Sequence, residues 1–508
     1  GRCAWRKSGT GKSDMLNETI IVGVCGAGAM GAGIAQVAAQ AGHKVVVLDQ
    51  NDEALERGRA VVAKGAEALL KRGKISEDEA KALNARVEWT TDVAALGDCG
   101  LIIEAIIERA DAKQGLFAKL EEATGGRAVL ATNTSSLSVT SLAASLKRPK
   151  AFMGLHFFNP APVMKLVEVV CGMETDQALA DEALKLMEGW GKVAVKARDV
   201  PGFIVNRVAR PYYGEGWRAF EEGAADPASL DFLYRDLAGF RMGPFELGDL
   251  IGHDINTAAA KSVYDSYFGR TRFVPSLAQG QLAAAGMLGR KTGKGVYDYS
   301  EGASAPAPAF ADGVDKPSAT VRLSSGAEAL KALLAAAGVP YAEDKALPAG
   351  YAELDGVLIG FTCGRTASDL RAEFGKRFAL IDWVRDAKSA SALGLAGCCN
   401  GARKAGLAFA ALCGKKAIIL KDRPGLVVFR TLLQLANCAG DAVRDLVADA
   451  ESIDRAMING VNYPFGPMAW AKEFGFARVV AALDAIADET GEALYRPSEA
   501  LRALARNE

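Results

Sequence analysis

Residues 20–31 read Ile-Ile-Val-Gly-Val-Cys-Gly-Ala-Gly-Ala-Met-Gly, an apolar run that enters three glycines spaced G-x-G-x-x-G. The run predicts a short buried strand over residues 20–24. The alanine-rich stretch behind it predicts a helix over 26–40, stopped by Gly42. In that strand–turn–helix setting Gly26 permits the tight turn, Gly28 lets the backbone approach a pyrophosphate, and Gly31 lets the helix pack closely on the strand. Free N–H groups at the helix start complete an anion cradle made by Gly26, Ala27, Gly28, Ala29, Met30 and Gly31. A second strand over 45–48 leads into Asp49, whose carboxylate suits the hydroxyls of an adenosine ribose and repels a 2′-phosphate. Gln50, Asn51 and Asp52 bring no cation, so the expected cofactor is NAD rather than NADP.

Outward from this unit the alternation continues. Apolar runs at 101–107, 128–131, 152–155, 166–170 and 193–195, the early ones separated by helical patterns, predict an α/β Rossmann-like, doubly wound and mostly parallel domain over 17–201. Beyond Pro201-Gly202 the periodicity is helical, which predicts an α-helical domain over 202–300 of the substrate-binding or dimerisation type. Residues 301–317 have the composition of a linker.

The rest contains an echo. Asp199-Val-Pro-Gly-Phe-Ile-Val-Asn-Arg207 lines up with Asp422-Arg-Pro-Gly-Leu-Val-Val-Phe-Arg430. At the same offset Asp226, Asp231, Gly243-Pro244 and Gly252 meet Asp449, Asp454, Gly466-Pro467 and Gly475. A constant offset over so long a stretch predicts a second copy of the helical domain at 422–508. Between the copies, residues 318–421 carry strand-like runs at 357–361 and 417–420 and are expected to form a small, degenerate α/β segment. Gly360 and Gly364 there do not make a dinucleotide fingerprint.

Composition narrows the class further. The chain has 508 residues with 60 Lys plus Arg against 61 Asp plus Glu, which gives no sign of nucleic-acid or anionic-membrane binding through bulk charge. No apolar run approaches the ~18–20 residues of a membrane span, so a soluble, cytoplasmic protein is expected. Nine cysteines, an odd number without a CxxC pair, argue against a disulfide framework or zinc site, and no metal is expected. Residues 1–16 read as a leader, disordered or derived from expression or upstream translation. Residues 9–13, Gly-Thr-Gly-Lys-Ser, are no phosphate loop, because Arg6 stands where the first glycine must be.

Only three histidines are available for acid–base chemistry. His156 ends a predicted strand, where open α/β sheets carry their chemistry, and Glu168 sits twelve residues on inside Leu-Val-Glu-Val-Val. A carboxylate among apolar strand residues needs a partner, and a strand returning beside His156 would let it orient the imidazole. His43 and His253 are expected at the surface. Ser135 follows the strand at 128–131, with neighbouring Ser136 a candidate helix cap. Asn206, in an apolar stretch, needs a hydrogen-bond partner that a cleft between domains can supply.

Together, Gly26–Gly31, Asn133-Thr-Ser-Ser-Leu137, His156-Phe-Phe-Asn-Pro160, Met164-Lys-Leu-Val-Glu-Val169 and Pro201-Gly-Phe-Ile-Val-Asn-Arg207 resemble the L-3-hydroxyacyl-CoA dehydrogenase family over residues 17–300. The resemblance implies an NAD-dependent oxidation of an (S)-3-hydroxyacyl-CoA, with Ser135, His156, Glu168 and Asn206 catalytic. It places cofactor contacts on the glycine loop, Asp49, Glu108, Lys113, Ser135, Asn159 and Lys291. Where shorter members set a serine and a lysine against CoA, this chain has Gly65 and Arg72, of which Arg72 can still face a phosphate.

The long form, with Asn206-Arg-Val-Ala-Arg-Pro-Tyr-Tyr213 and Leu250-Ile-Gly-His-Asp-Ile-Asn256, is similar to the bacterial 3-hydroxyadipyl-CoA dehydrogenases of phenylacetate degradation. A 3-hydroxybutyryl-CoA dehydrogenase, a dehydrogenase of free hydroxy acids and a non-catalytic NAD-binding sensor are the alternatives. The second copy has Phe429 where the first has Asn206, and no histidine. It is expected to be non-catalytic and to form an intrachain pseudo-dimer with the first helical copy, further homo-oligomerisation remaining open.

Overall fold

The computed structural model describes residues 15–314, 317 and 320–508, so residues 1–14 of the expected 1–16 leader and part of the expected linker lie outside the described residues. The chain divides into two units, one running through Phe203 and the other spanning Ile204–Glu508.

The first unit is an eight-stranded sheet in the order β3-β2-β1-β4-β5-β6-β7-β8. Its strands are β1 (Val22–Cys25), β2 (Val45–Leu48), β3 (Val87–Thr90), β4 (Leu101–Glu104), β5 (Val129–Thr132), β6 (Phe152–Phe157), β7 (Leu166–Cys171) and β8 (Val193–Arg198). All neighbours run parallel except β6 and β7. The helices are α1 (Ala29–Gln40), α2 (Asp52–Lys71), α3 (Glu77–Ala85), α4 (Ala110–Ala123), α5 (Val139–Ala143) and α6 (Gln177–Gly189). Strand β3, Val-Glu-Trp-Thr, has no counterpart among the expected strands. It is an edge strand that is only partly buried, so its sequence lacks the continuous apolar run that marks the central ones.

Two sequence expectations are corrected here. His43 is 3% exposed, not a surface residue: its Nδ1 lies 3.0 Å from the Ile20 carbonyl oxygen and its ring meets Trp190. The cap of α5 is Ser138, whose side chain accepts the Ser141 N–H, rather than Ser136.

The second unit opens with helices α7 (Val205–Val208), α8 (Arg210–Glu221), α9 (Pro227–Ala238), α10 (Pro244–Ile251), α11 (His253–Ser266) and α12 (Leu277–Ala284). Next come β9 (Val321–Leu323), α13 (Glu328–Ala336), β10 (Tyr341–Glu343), β11 (Ala352–Leu354), β12 (Val357–Phe361), α14 (Ala367–Phe374), β13 (Arg377–Ile381), β14 (Ala392–Gly397), α15 (Asn400–Leu412) and β15 (Lys416–Ile419). These strands form one seven-stranded mixed sheet. Helices α16 (Val428–Arg444), α17 (Ala450–Gly460), α18 (Pro467–Phe474), α19 (Phe476–Thr490) and α20 (Glu499–Ala505) follow.

The helical echo is structural. Helices α9, α10 and α11 start 223 residues before α17, α18 and α19. Asp231 accepts the N–H groups of Phe245 and Glu246, and Asp454 those of Met468 and Ala469, in the same positions. In each copy the preceding glycine, Gly243 or Gly466, has no room for a Cβ against that aspartate. The copies differ at one break: Pro211 separates α7 from α8, whereas Gln434 in its place lets α16 run unbroken. His253, expected at the surface, is fully buried and sits 2.7 Å from Asp249.

Candidate active site

In the first unit the glycine loop meets the geometric demands of a phosphate cradle. Gly26 has φ +105° and a Cβ there would lie 2.6 Å from the Ala105 carbonyl oxygen. A Cβ on Gly31 would strike the Gly26 carbonyl oxygen at 1.8 Å, while one on Gly28 would meet open space. Helix α1 starts at Ala29 with no side-chain cap and no acidic residue in its first turn, leaving its N-terminal N–H groups for an anion. The Asp49 carboxylate accepts the Ala27 N–H at 2.6 Å, so the acid expected to meet the ribose is tied to the loop itself. These residues fit NAD.

Past β4 the loop is organised by acids. Glu108 accepts the Thr134 hydroxyl, the Ser135 and Ser136 N–H groups at 3.1 and 3.2 Å, and the Ser136 hydroxyl at 2.9 Å. Burial opposes the charge, but these donors and Lys113 hold its carboxyl below the usual range. Lys113 is itself buried, bonded to Glu104 at 2.5 Å and 3.2 Å from Glu108. Glu104 is a second carboxylate inside an apolar strand, the same signal that singles out Glu168, and sequence reasoning missed it. Ser135 is exposed at the carboxyl end of β5, beside Asn133, whose side-chain oxygen accepts the Phe157 N–H at 2.8 Å.

His156 and Glu168 are directly opposed across β6 and β7, and the imidazole Nδ1 lies 2.6 Å from the carboxylate. The glutamate is fully buried and the histidine 5% exposed. The rings of Phe158 and Phe203 stand 4.5 and 5.6 Å from the imidazole and supply an apolar surround. The bond at Nδ1 leaves Nε2 as the nitrogen for exchange with a substrate. Asn159 follows Phe158 at the same strand end, before Pro160.

Gly65, where a serine was the family expectation, packs against the side chain of buried Gln36: a Cβ would come within 2.1 Å of its Oε1. A serine there requires the Gln36 side chain to shift. Arg72 caps the far end of α2 and is exposed. In the second unit Asn206 lies in α7, its carbonyl accepting Arg210 Nε at 2.9 Å, and Lys291 pairs with Asp254 at 2.5 Å.

The second sheet repeats the site's layout with other side chains. Strands β12, β13, β14 and β15 reproduce the parallel, antiparallel, parallel order of β5 to β8. Register then places Cys363 at the position of Ser135, Asp382 at that of His156 and Gly394 at that of Glu168, with Phe429 at that of Asn206.

The description "3-hydroxyacyl-CoA dehydrogenase, NAD binding domain" matches residues 21–200. "3-hydroxyacyl-CoA dehydrogenase, C-terminal domain" matches twice, at 202–299 and 425–508. "3-hydroxybutyryl-CoA dehydrogenase reduced Rossmann-fold domain" matches 359–424. The chain is 40% identical to the 3-hydroxyadipyl-CoA dehydrogenase of Escherichia coli K12, over 96% of this chain and 98% of that one. A crystal structure described as 3-hydroxybutyryl-CoA dehydrogenase from E. coli K12 superposes with TM-score 0.88 at 39% identity, over 96% of this chain and 99% of that one. The (S)-3-hydroxybutyryl-CoA dehydrogenase of Ralstonia eutropha, 37% identical, covers 56% of this chain with all of its own length at TM-score 0.54.

Proposed function

The chain belongs to the 3-hydroxyacyl-CoA dehydrogenase family and is an NAD-dependent oxidoreductase, and within that family we propose that it oxidises (S)-3-hydroxyadipyl-CoA to its 3-oxo thioester. The observation that carries the chemistry is the buried His156–Glu168 pair at the carboxyl edge of the sheet. Bound NAD supplies the hydride acceptor. His156 takes the proton of the 3-hydroxyl through Nε2, while Glu168 fixes the tautomer and stabilises the imidazolium that results. The Ser135 hydroxyl holds the substrate hydroxyl, and the Asn206 amide donates to the developing oxygen. Gly26 to Gly31, Asp49, Glu108, Lys113, Asn159 and Lys291 serve the cofactor, and Arg72 the phosphates of CoA.

For the acyl chain, a dicarboxylic tail needs a cation without another claim on it. Arg207 is fully buried and paired with Asp445, which removes it from the candidates. Arg210 has no carboxylate partner among the described residues, lies over the Tyr213 ring and is bonded to the Asn206 carbonyl. Burial holds its guanidinium below the usual range, which favours receipt of an anion. Arg241 is exposed. Arg210, already held beside Asn206, is taken as the partner of the tail in preference to Arg241.

The helical copies pack on each other within the second unit, α8 against α16. This supports the reading that the second copy takes the place of a subunit contact. No described helix is long and apolar enough to cross a membrane. The assigned setting is cytoplasmic phenylacetate catabolism.

Steady-state NAD reduction with 3-hydroxyadipyl-CoA and 3-hydroxybutyryl-CoA tests the acyl assignment. The adipyl thioester is expected to have the higher kcat/KM, and Arg210→Met to lower it about tenfold while sparing the butyryl substrate. Equal or reversed preference overturns the adipyl assignment and favours the butyryl reading, which the name of the superposed E. coli structure supports.

A further inference from the structure

The second sheet has lost the acid–base residues but kept a cleft. At its carboxyl edge the strand ends after β12 and β13, together with side chains of α18 and α19, enclose about 610 Å³, a volume that takes a small organic ligand. Phe361, Trp383, Phe429 and Phe474 line it with aromatic surface, and the alanines Ala481, Ala482 and Ala485 leave room rather than fill it. Asp382 is not among the lining residues. Its carboxylate is turned to the start of α16, so the space is bounded by apolar groups where the first copy has its histidine.

One cation on this wall is without a carboxylate partner among the described residues. Arg478 is exposed, stacks its guanidinium over the Phe474 ring at 4.1 Å, and has no carboxylate within ion-pair reach among the described residues. Arg365, the other cation on the lining, is already paired with Glu373.

We propose that this second cleft is a non-catalytic binding site for a small amphipathic carboxylate. The apolar body lies among the aromatic rings, and Arg478 receives the carboxylate. The site needs no cofactor and performs no bond chemistry. Its recognition is the pairing of an unpartnered cation with an apolar enclosure, which selects an anion over a neutral molecule of the same shape.

Cys363 lines the cleft and is exposed, so its alkylation reports occupancy there and not in the first site. The full-length protein is treated with iodoacetamide, with octanoate or 1-octanol as probe, and peptide mass spectrometry follows each cysteine. Octanoate is expected to slow modification of Cys363 at least about threefold without slowing Cys398 or Cys399, and 1-octanol to protect far less. Arg478→Met, an exposed position that leaves the core intact, should raise the octanoate concentration needed by about threefold. Ala485→Phe should fill the cleft and abolish the octanoate dependence, with thermal melting confirming that both variants fold. An unchanged Cys363 rate at saturating octanoate, equal protection by octanol, or protection surviving in Ala485→Phe would each overturn the proposal.

Discussion

Asp382 accepts the main-chain N–H of Val428 at 2.8 Å, in the sheet position where the first copy has His156. The same carboxylate takes the N–H groups of Val427 and Phe429, both at 3.0 Å. It is a fully buried anion at the start of the longest helix of the second copy, placed where the helix dipole favours negative charge. Burial pushes its pKa up, against the pull of these N–H groups and that of Trp383. Chemistry at this position has been replaced by architecture.

Asp382→Asn should therefore weaken the fold and leave catalysis alone. An amide presents an N–H₂ group to backbone donors and loses the charge, so a loss of about 3 kcal/mol in denaturant unfolding is expected, with kcat/KM at the first site unchanged. A large fall in turnover of the folded variant would mean that the second copy takes part in the reaction.

At the first site the corresponding pair behaves differently. His156→Gln removes the proposed proton acceptor and is expected to lower kcat by about 10²–10⁴-fold, with NADH affinity by fluorescence titration near wild type. Glu168→Gln keeps the shape but weakens support for the imidazolium, so its loss should be smaller and should appear in kcat more than in KM. Near-normal turnover of His156→Gln would remove the assignment.

These contrasts show which parts of the design were legible in the sequence. The β1–loop–α1 unit was, because periodicity and three glycines are local signals. The helical repeat was, because Asp231 and Asp454 keep a constant spacing to the N–H groups they accept. The equivalence of Cys363 with Ser135 and of Asp382 with His156 was not: loops of different length shift the offset from one strand to the next, and only sheet register restores it. His43 and His253 read as surface residues because Trp190 and Asp249, which bury them, act through tertiary packing that local periodicity does not encode.

Asp49 is the residue proposed to carry the coenzyme preference. Its carboxylate, bonded to the Ala27 N–H, is positioned to repel a 2′-phosphate. Asp49→Ser should raise the KM for NAD about tenfold and narrow the ratio of NAD to NADP efficiency, measured with one acyl-CoA under saturation. An unaltered ratio would place the discrimination elsewhere.

Helix α16 is buried along almost its whole length and is tied to the first helical copy by polar contacts. Tyr234 and Thr431 share a hydrogen bond of 2.6 Å, and Arg430 lies 3.2 Å from Glu215. A chain ending at Pro306 would expose the faces of α8 and α9 that these contacts cover. It is expected to dimerise or aggregate in light-scattering measurements, whereas a well-behaved monomer would count against the pseudo-dimer reading.

Lys192 gives the pH dependence its sign. Its ammonium donates to the carbonyls of Ala161 and Met164 at 2.5 and 2.9 Å, without a carboxylate partner among the described residues, and burial lowers its pKa to about 8. In the unfolded chain the group holds its proton to ~10.4. Between those limits the unfolded state binds more protons, so stability rises with pH, by at most ~1.4 kcal/mol per unit from this one group. Below pH 8 both states are protonated and the contribution is flat. The difference between wild type and Lys192→Met in urea unfolding should accordingly shift in favour of wild type from pH 8 to 10. A difference that stays constant over that range would show that the two carbonyls, and not burial, set the charge state of this lysine.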